Sequence, residues 1–374
     1  MFMAESATPA VSVEDLIAAG FYDPEADDAA DRLAALQLLV DRGATLDDLR
    51  GSGGDFGLLV SRLALLPPGE RLARDQLAER AGVPVEVVER LWRAAGFADP
   101  GPDAAIATEK NVALFQSFAA AVSLFGDEAV FQLIRVIGSA MARVADAIVS
   151  AFNVNVAQGA TADTSGLAIV QANLESLTYL PMLVEAMDQL LRLHLVAAAR
   201  HGVPSLEAGY EAQQLSVGFV DLVDSTALSQ RLSGRALGAA LGSFEAEASD
   251  VIVKEGGRVV KLIGDEIMFV TQEAAAAYRT ALELGEAFSS HAVLPAVRIG
   301  LATGEVLTQG GDCFGTVVSL AARAAKEARP GEVMVAGTDE RMPPWCRLAD
   351  VAERELKGFG SPVLLGRLER TDRP

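Results

Sequence analysis

Two acidic residues at strand ends carry the strongest chemical signal in the sequence. In "VGFVDLVDSTALSQRL", residues 217–232, an apolar run ends on Asp221 and breaks into a polar, helix-starting turn. Alone, such an aspartate reads as a helix cap or a surface carboxylate. Forty-four residues later, "VVKLIGDEIMFV" (259–270) joins two β runs through Gly264-Asp265, the signature of a tight hairpin with an acidic tip. If these strands pair side by side, both carboxylates meet at one end of a sheet. Two hard oxygen ligands with room for substrate oxygens suit Mg²⁺ or Mn²⁺, which take one or two carboxylates and complete the shell with phosphate and water.

A third stretch, "GGDCFGTVVSLAARAAKEARPGEVMVAG" (310–337), opens a small-residue helix from a glycine loop. It presents Asp312, Ser319 and Arg323 at spacings of seven and four, which puts Ser319 and Arg323 on one helical face, a turn apart. Arg323 by itself would read as a solvated or salt-bridged side chain.

Together these motifs resemble those of a class III nucleotidyl cyclase domain, over roughly residues 214–370. The family's strand-one aspartate and turn match Asp221-Leu222-Val223-Asp224-Ser225-Thr226, and its hairpin matches Lys261-Leu262-Ile263-Gly264-Asp265. Its Gly-Asp to Arg stretch matches Gly311-Asp312 through Ser319 to Arg323. The resemblance implies an α+β, ferredoxin-like βαββαβ domain. It also implies two Mg²⁺ or Mn²⁺ ions on Asp221 and Asp265, with Leu222 completing the metal set. In such a site the ribose 3′-hydroxyl attacks the α-phosphorus in line and pyrophosphate leaves. Lys261 and Asp312 would select adenine, the ammonium donating to N1 and the carboxylate accepting from the exocyclic amine, so ATP is the implied substrate. Asp224, Ser225 and Thr226 would lie against its phosphates, and Lys357, in "RELKGFG", would hold the terminal ones. Arg323 and Ser319 would stabilise charge on the transferring group. The resemblance further implies a head-to-tail homodimer, with Asp221 and Asp265 from one chain meeting Lys261, Asp312 and Arg323 of the other.

Two positions depart from the pattern. Ser319 stands where the family has Asn, and loss of a preorganised donor costs about 2.7 to 4 kcal/mol, roughly 100- to 1000-fold in turnover. Asp224 stands where the family has Gly. As a good N-cap it is expected to claim N–H groups that would otherwise cradle phosphate, and so to weaken nucleotide affinity. These departures leave open a second reading, a nucleotide-binding signalling module with little or no turnover.

The elements that must position these residues change character along the chain. From residue 12 to about 200 apolar residues recur at three and four spacing, as in "DRLAALQLLVDRG" and "EAVFQLIRVIGSAMARVADAIVSAF", and strand signals are nearly absent. From about 215, short β-branched runs alternate with helical stretches. The junction 200–214 holds Gly202, Pro204 and Gly209 and reads as a linker, giving an all-α domain over 1–207 and the cyclase-like domain over 208–374. Residues 72–97 have helix-turn-helix spacing, the basis of a third reading as a transcription regulator. Around them, however, Glu70, Asp75, Glu79, Glu86 and Glu89 balance Arg71, Arg74, Arg80, Arg90 and Arg93, so a structural helix pair is expected and not a DNA reader.

The helical half resembles the regulatory domain of actinobacterial cyclases that respond to pH. In those relatives the domain also dimerises and can hold a fatty acid in an apolar pocket, which the resemblance extends to this chain as an expectation. His194 and His201 flank the linker and offer a titratable switch; His291 lies further on. Across 374 residues, 31 Lys and Arg against 51 Asp and Glu give a net charge of -20, which opposes broad contact with nucleic acid or anionic lipid. Cys313 and Cys346 supply neither a disulfide framework nor a zinc cluster. The longest uncharged runs, 111–126 and 147–162, fall short of a membrane span, so a soluble cytoplasmic protein without a transmembrane segment is expected.

Overall fold

The structure, a computed structural model, describes residues 11–66, 71–99, 101, 104, 107–154, 165–199, 211–291, 293–337 and 342–371. It divides into two units, 1–201 and 202–374.

Capping chemistry starts the first unit. Helices α1 (Val13–Ala18), α2 (Ala29–Val40), α3 (Leu46–Gly51) and α4 (Phe56–Leu65) follow in order, with capping boxes at Ser12–Asp15 and Thr45–Asp48. Leu36, Leu39, Leu49, Phe56 and Val60 close one core. A short ladder of β1 (Arg71–Leu72) with β2 (Ala107–Thr108) brackets α5 (Arg74–Ala81) and α6 (Val85–Ala94). The half is otherwise helical, in keeping with the expectation of few strand signals, and two-residue strands leave no periodicity to read. The α5–α6 turn runs through Gly82 at φ +69, and Leu77, Val88 and Leu91 are buried in the second core, so this pair packs as a structural unit.

Helices α7 (Glu109–Phe125), α8 (Asp127–Phe152), α9 (Leu167–Leu177) and α10 (Leu180–Ala199) complete the unit. Beyond Ile134, α8 exposes Ile137, Met141, Ile148 and Val149, and α10 buries no residue while exposing Met182, Leu190, Leu191, Leu193 and Leu195. Among the described residues, the stretch Leu167–Ala199 is long and apolar enough to cross a membrane by length and composition. Uncharged-run length missed it, because the stretch is broken by Glu175, Glu185, Asp188 and Arg192. The linker expected over 200–214 lies outside the described residues up to 210, as does His201, and residues 211–214 already belong to a strand.

In the second unit β3 (Glu211–Leu222) is followed by α11 (Ser225–Arg231), α12 (Gly234–Lys254), β4 (Arg258–Ile263), β5 (Glu266–Thr271) and α13 (Ala274–Ser289). Then come β6 (Val297–Gln309), β7 (Asp312–Phe314), α14 (Thr316–Glu327), β8 (Val333–Ala336), β9 (Cys346–Arg354) and β10 (Val363–Arg370). The sheet order is β4-β5-β3-β6-β8-β10-β9, with β7 pairing β6. Its first four strands with α12 and α13 are the expected βαββαβ core. The strand β8 extends it by a parallel pairing with β6 after the α14 crossover.

Both faces of this sheet are covered, which explains the near-continuous apolar runs of its strands. Val220, Leu222, Ile267, Phe269 and Ile299 pack against α12 and α13. Val217, Phe219, Met268, Val270 and Ala302 face Ala321, Ala324 and Ala325 of α14. That helix can sit directly on β6 because Gly300 lies beneath it: a Cβ there would come within 2.0 Å of the Ala325 nitrogen. Cys313 and Cys346 are buried free thiols, and burial pushes Cys346 up to about 11.

Candidate active site

The strand register brings the two aspartates together. Asp221 is the penultimate residue of β3 and lies opposite Glu266 of β5 on one side and Arg298 of β6 on the other. Ile263 pairs with Glu266 across the hairpin, leaving Gly264 and Asp265 as its two-residue turn. Gly264 has φ +67, a conformation open to glycine at the first position of such a turn. The Leu222 N–H donates to the Asp265 carbonyl at 3.3 Å, tying the tip to the strand end. Asp221 and Asp265 line one pocket of about 660 Å³ with Leu222, Asp224, Ser225, Thr226, Glu266, Arg298 and Lys326.

Electrostatics in this pocket are crowded. Asp221 is 8% exposed, and its Oδ2 accepts from Arg298 Nε at 2.8 Å and Nη2 at 2.5 Å. Burial, and then the neighbouring Asp221 carboxylate, pushes the Glu266 carboxyl above its ordinary value, while Lys326 and Arg298 pull it back. The Glu266 Oε1 is buried with no hydrogen-bond partner among the described residues.

The turn after β3 corrects one expectation. Asp224 adopts the left-handed conformation, φ 55 and ψ 30, at the start of α11, and its side chain makes no capping hydrogen bond. The backbone there asks for the glycine that the family carries, and in that conformation the carboxylate does not reach the helix N–H groups. Asp224 instead lines the pocket beside Ser225 and Thr226.

The remaining expected residues do not line that pocket. Lys261 Nζ donates to Asp312 Oδ1 at 2.9 Å and Oδ2 at 2.7 Å, and Oδ1 also accepts from the Cys313 N–H. Ser319 and Arg323 of α14 line another pocket with Gly315, Thr316, Lys357, Gly358 and Phe359. Thus Lys357, the weakest match in sequence, lands beside Arg323. Among the described residues neither cation has an ion-pair partner within 4.0 Å, so the salt-bridged reading of Arg323 does not hold. Neither Asp221 nor Asp265 lines this second pocket.

Sequence reading missed Arg298, Glu266 and Lys326. For Arg298 the signal was present: "AVRIGLA" places one guanidinium inside a buried apolar strand, where a charge needs a partner. Glu266 and Lys326 follow residues already assigned and gave no separate pattern.

A mixed sheet in ferredoxin-like order, paired acidic strand ends and a Lys–Asp couple together define a nucleotidyl cyclase domain behind a helical one. Residues 11–199 match the family described as "Adenylate cyclase regulatory domain", and residues 208–360 the "Adenylate and Guanylate cyclase catalytic domain". The chain is 34% identical over 266 residues to an adenylate cyclase of Streptomyces coelicolor, covering 70% of this chain and 68% of that one. It is 29% identical over 369 residues to the pH-sensitive adenylate cyclase MT1302 of Mycobacterium tuberculosis, covering 91% and 88%. Among solved structures, the adenylyl cyclase CyaB from P. aeruginosa is 23% identical, with 44% of this chain covering 97% of that one at a TM-score of 0.38. The chain belongs to the adenylate cyclase family, with a regulatory domain ahead of its catalytic domain.

Proposed function

We propose that the protein converts ATP to 3′,5′-cyclic AMP and pyrophosphate at sites shared between two copies of the chain. The observation that carries this reading is the separation of two incomplete groups within one catalytic unit. One pocket holds Asp221, Asp265 and the start of α11, and the other holds Ser319, Arg323 and Lys357. Each lacks what the other has, as expected of halves completed across a two-fold axis.

The first group fits a pair of hard divalent ions. Among the described residues no group of three or more His, Cys, Asp and Glu side chains is placed to hold a metal ion by itself, and two carboxylates with positions left for phosphate oxygens suit such ions. Asp221, Asp265 and the Leu222 backbone would hold Mg²⁺ or Mn²⁺, which when bound would acidify the ribose 3′-hydroxyl and neutralise phosphate charge. Arg298, already beside Asp221, adds a fixed guanidinium to the same wall. Ser225 and Thr226 set the turn against the phosphates. The Lys261–Asp312 pair matches the adenine edge donor for acceptor, and the bond from the Cys313 N–H holds the carboxylate in place. Arg323 is free to pair with the transferring phosphoryl group and Lys357 with the departing pyrophosphate. Ser319 reaches less far than Asn and offers one donor, which supports a slow enzyme.

Regulation would run through the helical unit. The exposed apolar faces of α8 and α10 suit burial against a second copy or around a fatty acid. The likeness to a pH-sensitive cyclase makes pH the first signal to test, with His194 and His201 as candidates. The deciding assay gives the purified chain ATP or GTP with Mg²⁺ or Mn²⁺ and follows cyclic product across about pH 5 to 8. ATP is the expected substrate, and Asp221→Ala and Asp265→Ala should each abolish product. Turnover that survives either change removes the metal assignment.

A further inference from the structure

Lys326 has no part in that mechanism, yet it stands in the carboxylate pocket. It occupies the last turn of α14, three residues after Arg323 and seven after Ser319, so all three share one stripe of the helix. Gly300 lets this helix rest on β6, and Gly300 and Arg298 point to the same side of the sheet, two residues apart. The end of α14 therefore comes over the row Glu266–Asp221–Arg298, and Lys326 lines the same pocket and acts on the Glu266 carboxyl.

Four carboxylates line that pocket, Asp221, Asp224, Asp265 and Glu266, against two cations, Arg298 and Lys326. Arg298 is already engaged by Asp221. Lys326 makes no hydrogen bond or ion pair among the described residues, and the buried Glu266 Oε1 is likewise unbonded, so the ammonium does not spend its donors there. A lysine with all three donors available, at the wall where an anion must enter, is placed to meet that anion.

We propose that Lys326 is a further substrate-contacting residue, its ammonium binding the triphosphate held on its own chain's Asp221 and Asp265. Arg323, one turn earlier, serves the site completed with the partner. One helix thus supplies a cation to each of the two composite sites. This rests on the cyclase reading above and adds to it a triphosphate contact from the chain that carries the aspartates.

The test titrates the full chain with tripolyphosphate in the presence of Mn²⁺ by calorimetry, because this probe carries the phosphates and cannot cyclise. Lys326→Ala should weaken binding roughly tenfold, the loss of one charge-assisted hydrogen bond, and should raise the Michaelis constant for ATP in step while kcat changes little. Lys326→Arg, which keeps the charge, should recover most of the affinity. Lys326→Ala should weaken binding equally in a Glu266→Gln background. An unchanged affinity in Lys326→Ala overturns the contact. So does a loss that disappears in the Glu266→Gln background, since Lys326 would then act only by neutralising that carboxyl. A wild-type chain that binds tripolyphosphate but makes no cyclic nucleotide sinks the cyclase reading and leaves this contact measurable. One that does not bind the probe overturns the contact itself.

Discussion

Asp224 shows what a single side chain in an unfamiliar place can do. It holds a left-handed backbone that glycine adopts freely, and its carboxylate faces a pocket already lined by Asp221, Asp265 and Glu266. Replacing it with Gly should lower the Michaelis constant for Mn-ATP by roughly tenfold, or about 1.4 kcal/mol. That is a fraction of the ~4 kcal/mol carried by a unit charge pair at ~4 Å and an effective dielectric of ~20. Steady-state kinetics on Asp224→Gly decide it, and a constant that stays put or rises takes Asp224 out of the path of the substrate. At this scale the aspartates were legible because an acid that stops a buried apolar run is costly without a purpose. The conformation of Asp224 was not legible, since an N-cap aspartate and a left-handed one look alike in sequence. Nor did sequence show that Arg298 would sit on Asp221, because that contact joins residues 77 apart through strand pairing alone.

Among the elements, α14 carries three of the proposed site residues, Ser319, Arg323 and Lys326, and its placement depends on Gly300. A methyl group there would come within 2.0 Å of the Ala325 nitrogen and 2.3 Å of the Ala321 carbonyl, so the helix must lift. Gly300→Ala should destabilise the protein by about 1 to 3 kcal/mol, the usual range for overpacking a filled core. It should also cut turnover more than the fall in melting temperature explains, because Arg323 and Lys326 ride on that helix. Parallel thermal melts and assays below the transition separate the two effects, and full activity in a destabilised variant would show that the helix position has slack. The hairpin could be read ahead from Gly264-Asp265, and alternating β-branched and helical stretches gave a mixed α and β domain, while the βαββαβ order came only from the resemblance to nucleotidyl cyclases. The start of β3 could not: "EAQQ", residues 211–214, is polar and looks like linker, and only its pairing with residues 305–308 of β6 makes it strand. The β1–β2 ladder was hidden for a related reason, since two residues carry no period.

At the scale of the whole molecule, the groups proposed for the reaction fall into two separate pockets of one catalytic unit. Arg323 and Lys357 lack ion pairs among the described residues, and the aspartates line a different pocket from theirs. The helical unit meanwhile exposes apolar side chains along α8 and α10 that water alone would leave costly. Pairing two chains answers both facts, and mixing variants tests it directly. A chain carrying Asp221→Ala and Asp265→Ala should be inactive, and so should one carrying Arg323→Ala. A heterodimer of the two keeps one composite site built wholly from intact residues, the metal carboxylates of one chain facing the arginine of the other. With random exchange half the dimers are mixed and each has one working site of two, so an equimolar mixture should regain about a quarter of wild-type activity. Recovery should build at the rate at which subunits exchange and disappear when exchange is prevented by covalent linking of like chains. A mixture that stays as inactive as its components would mean that each chain completes its own site, and the two pockets would then have to close on one another within a single catalytic unit.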